Sequence, residues 1–142
     1  MTYLLDVNAL IALIDPTHAN HDVTHQWFAA DGGQSWATCP ITENGVLRIV
    51  GNARYPNSPG SPAAVAGLLA RLKTHAGHVF WPDDISLLDA SKIDAGRLLT
   101  HAQITDSYLL ALAVAHRGMV ATLDRRLTTT AVAKGQAALH QI

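Results

Sequence analysis

Short apolar runs alternate with stretches of helical spacing along this 142-residue chain, and that alternation most narrows its fold. Tyr3 to Leu5, "SWAT" at 35–38, "HVFW" at 78–81 and "MVATL" at 119–123 read as strands, and "ALHQI" at 138–142 as a last one. Between them, "NALIALI", "HANHDVTHQWFAA", "ITENGVLRIV", "PAAVAGLLARLKTHA" and "ITDSYLLALAVAHRG" carry helical periodicity. Short apolar strands separated by helices predict an α/β fold: a parallel sheet of four or five short strands sandwiched between helices. In such a sheet the ligand site lies outside the carboxyl ends of the strands.

Local signals set the expected boundaries. Asn8 reads as an N-cap of the first helix, which Pro16 closes. In the second helix Val23, Trp27 and Ala30 share an apolar face, and "DGG" ends it. Pro40 or Thr42 starts the third. Pro82 stops the third strand, and "SLLDASKIDAGRLLTHA" at 86–102 reads as one or two helices. The helix at 104–117 is apolar nearly all round, so it belongs in the interior, with Gly118 as its cap. Trp27, Trp36, Trp81 and Tyr108 read as core. The Pro-, Gly- and Asn-rich stretch 51–62 is a surface loop, because neither side of it is long enough for a second domain. Residues 1–142 therefore read as a single domain.

Composition excludes several classes. The formal net charge is −1 with only ten Lys and Arg, so any nucleic-acid contact must gather its cations locally. Cys39 is the only cysteine, which rules out an intrachain disulfide, argues against a cysteine-based metal site and suits a reducing compartment. The N-terminus lacks a basic leader region, and no apolar run reaches the roughly 18 residues that span a bilayer. The expectation is a soluble, cytoplasmic protein with no membrane partner.

Most of the eleven acidic residues fit a solvated surface: Asp15, Asp22, Asp31, Asp83, Asp84, Asp89 and Asp94 fall in turns or on outward helix faces. Four do not. Asp6 ends the first strand, Asp124 follows the fourth, Glu43 sits in the first turn of the helix after the second, and Asp106 opens the interior helix. Singly, each has an ordinary explanation as a cap or a dipole partner. Together, the parallel-sheet topology sends all four to one rim. Two unit charges about 4 Å apart repel by roughly 4 kcal/mol at an effective dielectric near 20, so a shared pocket requires protons or a cation. Oxygen-only ligands favour a hard ion, Mg²⁺ or Mn²⁺, and such ions suit phosphate chemistry.

"LLDVNAL", "TEN", "ITDSYLLALA" and "ATLDRRL" resemble, in order, the acidic motifs of the PIN-domain ribonucleases, and the compact length resembles the VapC-type toxins of bacterial toxin–antitoxin pairs. The resemblance implies a parallel sheet between helices and a Mg²⁺ or Mn²⁺ site built by Asp6, Glu43, Asp106 and Asp124. It implies hydrolysis of RNA phosphodiesters, typically in tRNA or ribosomal RNA. It also implies a homodimer and a small antitoxin that blocks the site. A fifth acid seen in some members is absent, because Arg125 and Arg126 follow Asp124.

On this basis Asp6 and Asp106 are the expected principal metal ligands, Asp124 a ligand through water or a second ion, and Glu43 the group that holds or polarises the attacking water. Asn8 either fixes the rotamer of a ligand carboxylate or caps its helix. Thr105, Ser107 and Thr122 offer hydroxyls to carboxylates or phosphate. Arg125 and Arg126, then Arg48 and Arg54, are the candidate phosphate contacts, and Tyr55 the one loop aromatic considered for base stacking. His21 and His25 stand four apart, but no glutamate lies between them to form a metalloprotease motif, so they read as surface histidines. Two other functions compete: a regulatory module that binds an antitoxin without significant catalysis, and a phosphohydrolase using Asp6 as nucleophile. Asn8, standing where the latter chemistry wants a second aspartate, weakens it.

Overall fold

The computed structural model covers residues 1–142 and contains one five-stranded sheet, every pairing parallel. In chain order the elements are β1 (Tyr3–Leu5), α1 (Val7–Ile14), α2 (His21–Ala30), β2 (Trp36–Thr38), α3 (Pro40–Val50), α4 (Pro62–Lys73), β3 (His78–Phe80), α5 (Ile104–Ala115), β4 (Met119–Thr122) and β5 (Leu139–Gln141). The spatial order is β3-β2-β1-β4-β5. The chain builds outward from β1 to β3, then crosses to the other side of β1 for β4 and β5. The order therefore reverses between β1 and β4, where open α/β sheets form their ligand crevice.

The three central strands, β1, β2 and β4, are buried on both faces, which is why they read as unbroken apolar runs, whereas the edge strands β3 and β5 are only partly covered. Leu4, Ala37 and Val120 face a core completed by Leu109 to Ala113 of α5 and by Trp81. Leu5, Trp36 and Ala121 face the opposite core, filled by α1, Phe28 of α2, Val46 of α3 and Val65 of α4. Adjacent residues point to opposite sides, as the pleat requires.

Five expectations are corrected. Asp6, not Asn8, caps α1: its Oδ1 accepts from the Ala9 amide at 2.8 Å, while Asn8 is exposed inside the helix. Helix α2 buries Thr24 and Phe28 and leaves Val23 46% exposed, so its buried face is one position round from the apolar stripe. Residues 86–102 form no α-helix. The Asp89 carboxylate accepts from the amide and hydroxyl of Ser91, and the Asp94 carboxylate from the Gly96 amide. Such bonds offer the backbone a turn in place of a helix. The segment runs beside residues 131–133, with Asp94 N–H donating to Ala131 and Ala133 N–H to Lys92. At the end of α5 the left-handed residue is Arg117, with φ 57°, not Gly118. Arg117 N–H reaches Val114 and Gly118 N–H reaches Ala113 at 2.8 Å, a two-bond helix termination. Glycine is needed at 118 because a Cβ would lie 2.5 Å from the Thr2 carbonyl and 2.6 Å from the Trp81 ring.

The fifth correction is Asp15. It is buried, and its carboxylate accepts from the Tyr55 hydroxyl, from Asn57 Nδ2 at 2.7 Å and from both the amide and hydroxyl of Thr17. Burial raises its pKa, but these donors outweigh it and hold the carboxyl well below the ordinary range. Asp15 thereby pins the 51–61 loop to the end of α1. Tyr55 is engaged in that clamp and packed against the α1–α3 core, so it is no stacking platform for a base.

Candidate active site

Strand β1 ends exactly where α1 begins, so Asp6 must serve both. Its amide donates to Ala121 of β4, which ties it to the reversal point, and its carboxylate caps α1. Asp106 sits half-buried in the first turn of α5. Asp124 lies two residues past β4, held in a tight turn: its amide donates to Thr122 Oγ1 at 3.0 Å, and its Oδ1 accepts from the Arg126 amide at 2.8 Å.

Asp6 and Asp106 feel the charges of their acidic neighbours. Burial pushes the Asp6 carboxyl up from 3.8 to about 6; the Thr122 hydroxyl and Ala9 amide oppose the rise, and the charges of Asp106 and Asp124 add to it. Asp106 is raised by burial and then by the charge of Asp124. None of the three has a cationic partner. The chain's four ion pairs are Lys73–Glu43, Lys92–Asp89, Arg97–Asp94 and His116–Asp84.

Glu43 is placed differently. Its Oε2 meets Lys73 Nζ at 2.8 Å and accepts from the Thr38 hydroxyl at 2.6 Å. Glu43 opens on a small cavity of about 120 Å³ between α3 and α4. Asp6 and Asp106 line another, of about 180 Å³, together with Asn8, Ile49, Thr105 and Leu109. The structure thus brings Asp6, Asp106 and Asp124 into mutual influence and sets Glu43 one strand over, already compensated. A larger cavity of about 530 Å³ lies between the 87–97 and 130–133 segments, away from all four acids.

The donor set suits a hard cation: three carboxylates, one of them buried and reluctant to ionise, with no internal counter-charge. As the side chains stand, no three His, Cys, Asp or Glu groups converge closely enough to hold an ion, so ligation requires rotamer adjustment. Exposed Asp124 is the one with room to move.

Among the supporting residues, Asn8 and Thr105 face the Asp6 cavity. The Ser107 hydroxyl is buried without a partner and holds neither carboxylate. Arg125, Arg126, Arg48 and Arg54 are all exposed and outside any ion pair, and the first two flank Asp124 directly. Lys73, Thr38 and His78 escaped sequence reasoning altogether. Lys73 stands thirty positions from Glu43, and no local pattern announces the pairing.

Comparison with known proteins gives a consistent result. Residues 3–133 match the family described as PIN domain. Ribonuclease VapC44 of Mycobacterium tuberculosis is 46% identical over 132 residues, covering 93% of this chain and 92% of that protein. Ribonuclease VapC39 of the same organism is 41% identical over 133 residues, 94% and 96% respectively. Among solved structures, VapBC2 from Rickettsia felis bound to a DNA fragment from their promoter aligns with a TM-score of 0.59 at 11% identity, over 100% of this chain and 99% of that one, a likeness of fold.

Proposed function

This chain belongs to the PIN-domain family, among ribonucleases of the VapC type, and from that membership we propose that it is the RNA-cleaving toxin of a toxin–antitoxin pair whose centre is Asp6, Asp106 and Asp124. The observation that carries the assignment of the centre is three carboxylates gathered where the strand order reverses and left without a cationic side chain, the two more buried ones, Asp6 and Asp106, held above the ordinary range by burial and by their acidic neighbours. A hydrolase that attacks a phosphodiester needs positive charge at that point, and no side-chain cation of the chain pairs with these three acids.

Asp6, Asp106 and Asp124 are the residues to hold Mg²⁺ or Mn²⁺. Bound there, the cation supplies charge neutralisation at the phosphate and activation of water. The chain's own contributions are separable. Helix α1 fixes Asp6 through the Ala9 amide, which donates to its Oδ1. Thr122 holds the Asp124 turn from the adjacent strand end. Glu43 is the acid for the attacking water. Asn8 and Thr105 line the cavity and contact the carboxylates or the substrate backbone. Arg125 and Arg126 take the phosphates nearest Asp124, with Arg48 and Arg54 further along the strand.

The expected substrate is a structured RNA, tRNA or ribosomal RNA, met in the cytoplasm. The expected partners are a small cognate antitoxin that covers the site and a second copy of the chain in a homodimer. No helix is long and apolar enough to cross a membrane. Sequencing of RNA 5′ ends after brief induction tests the proposal. Wild type should produce discrete new ends that Asp6→Asn does not. Identical profiles for the two would favour the alternative, a regulatory protein that works through antitoxin binding alone.

A further inference from the structure

Glu43 is held by an arrangement that nothing in the acidic series requires. Thr38, the last residue of β2, donates its only hydroxyl proton to Glu43 Oε2 at 2.6 Å. The same hydroxyl oxygen lies 2.8 Å from His78 Nε2. Since the Thr38 proton is spent on the carboxylate, His78 must donate through Nε2–H. On the other side, Lys73 reaches Oε2 at 2.8 Å from the last turn of α4, with its ammonium 5.2 Å above the Phe80 ring. A hydroxyl donor and an ammonium thus converge on one oxygen, and the hydroxyl is itself held from behind. Oε1 makes no hydrogen bond or ion pair within the chain.

Leu4 pairs with Ala37, so Thr38 stands beside Leu5 at the sheet rim, and Glu43, in the first turn of α3, lies one strand over from Asp6. A free glutamate on the first turn of a helix samples several rotamers. Gripped by Oε2 from two sides, it has one orientation and one available oxygen. We propose that Lys73, with Thr38, is a positioning residue of the reaction: it clamps Glu43 through Oε2, so that Oε1 alone presents to the attacking water. His78 sets the Thr38 hydroxyl. This rests on the reading that the protein cleaves RNA with Glu43 serving the water. It adds a residue from α4, an element with no acidic motif.

The alternative for a lysine near an RNA site is direct contact with phosphate, and a double-mutant cycle distinguishes the two. Steady-state cleavage of a structured RNA in Mg²⁺ is measured for wild type, Lys73→Met, Lys73→Arg, Thr38→Val, Glu43→Gln and Glu43→Gln with Lys73→Met. Lys73→Met should lower kcat about tenfold with KM and the salt dependence unchanged, and Lys73→Arg should restore most of it. Thr38→Val should behave like Lys73→Met. Glu43→Gln should cost about a hundredfold, and adding Lys73→Met to it should change the rate less than twofold. Thermal unfolding of each variant identifies any loss that comes from folding. If Lys73→Met keeps its full effect in the Glu43→Gln background, or acts on KM and flattens the salt dependence, the lysine touches RNA and the clamp is wrong. If Glu43→Gln cleaves like wild type, the clamp serves no chemistry and is likewise wrong. Asp106→Asn, run in parallel, separates the two levels: an inactive Asp106→Asn beside an unaffected Lys73→Met overturns only the clamp, whereas an active Asp106→Asn overturns the cleavage reading and the clamp with it.

Discussion

Consider Asp6→Asn in a chelating buffer. Asp6 is 6% exposed, and burial lifts its carboxyl from 3.8 to about 6 in the folded chain, Asp106 and Asp124 adding to the rise. In the unfolded chain it titrates near the ordinary value of about 3.9. Between these values the folded state holds a proton that the unfolded state has lost, so stability falls as pH rises through that window. Above it the whole cost is present: about two pH units at about 1.4 kcal/mol each, or roughly 3 kcal/mol. Asparagine removes the charge and keeps an oxygen for the Ala9 amide. That cost is already net of the bond from the Ala9 amide, which lowers the carboxyl pKa. Asp6→Asn should therefore be more stable than wild type by about 3 kcal/mol at pH 8, a Tm increase of roughly 10 °C for a chain of this size. Below about pH 4, where both side chains are neutral, the advantage should vanish. Urea and thermal unfolding of the two proteins from pH 4 to pH 8 in EDTA provide the comparison. Adding Mg²⁺ or Mn²⁺ should then raise the wild-type Tm and leave the variant unmoved. A variant less stable than wild type at pH 8, or a difference that does not change with pH, would refute the reasoning.

Five other substitutions have outcomes that follow from the geometry. Asp15→Ala leaves the Tyr55 hydroxyl and the Asn57 amide without their acceptor and should cost about 2–4 kcal/mol by urea unfolding, with hydrogen exchange rising first in the 51–61 loop. Because Asp15 titrates below the usual range, its stabilisation should hold above about pH 4 and be lost as the pH falls through the acid range. Gly118→Ala forces a Cβ to within 2.5 Å of the Thr2 carbonyl and should cost about 1–3 kcal/mol, whereas Arg117→Gly at the left-handed position should be neutral or stabilising. Arg125→Gln and Arg126→Gln should each reduce the slope of log affinity against log salt by about 1 for a model RNA, measured by fluorescence titration.

The strands and most helices were legible because their causes are local. A three-residue apolar run buried on both faces, or an apolar stripe on α4, records its environment directly in the sequence. The 86–102 segment was not legible: its leucines have helical spacing, yet Asp89 and Asp94 divert the backbone into turns, and what they win depends on docking against residues 131–133. The site divides the same way. Asp6, Asp106 and Asp124 were visible as acids at strand ends and a helix start, because the parallel topology alone sends those points to one rim. Asp15 was misread as solvated, since its three partners at 17, 55 and 57 come together only when the loop folds back on α1. Glu43 was placed by its motif, but Lys73, which sets its charge balance, arrives from a helix thirty positions away. Pairings across elements leave no periodic trace, so charge compensation was the least readable part.

Cleavage of a structured RNA by the purified chain, with Mg²⁺ or Mn²⁺ or with EDTA, alongside Asp106→Asn, tests the central claim most directly. The account predicts discrete cuts that need the divalent cation, and a loss of at least a hundredfold in Asp106→Asn with the fold intact. Cleavage that persists in EDTA, or an Asp106→Asn protein as active as its parent, would contradict it.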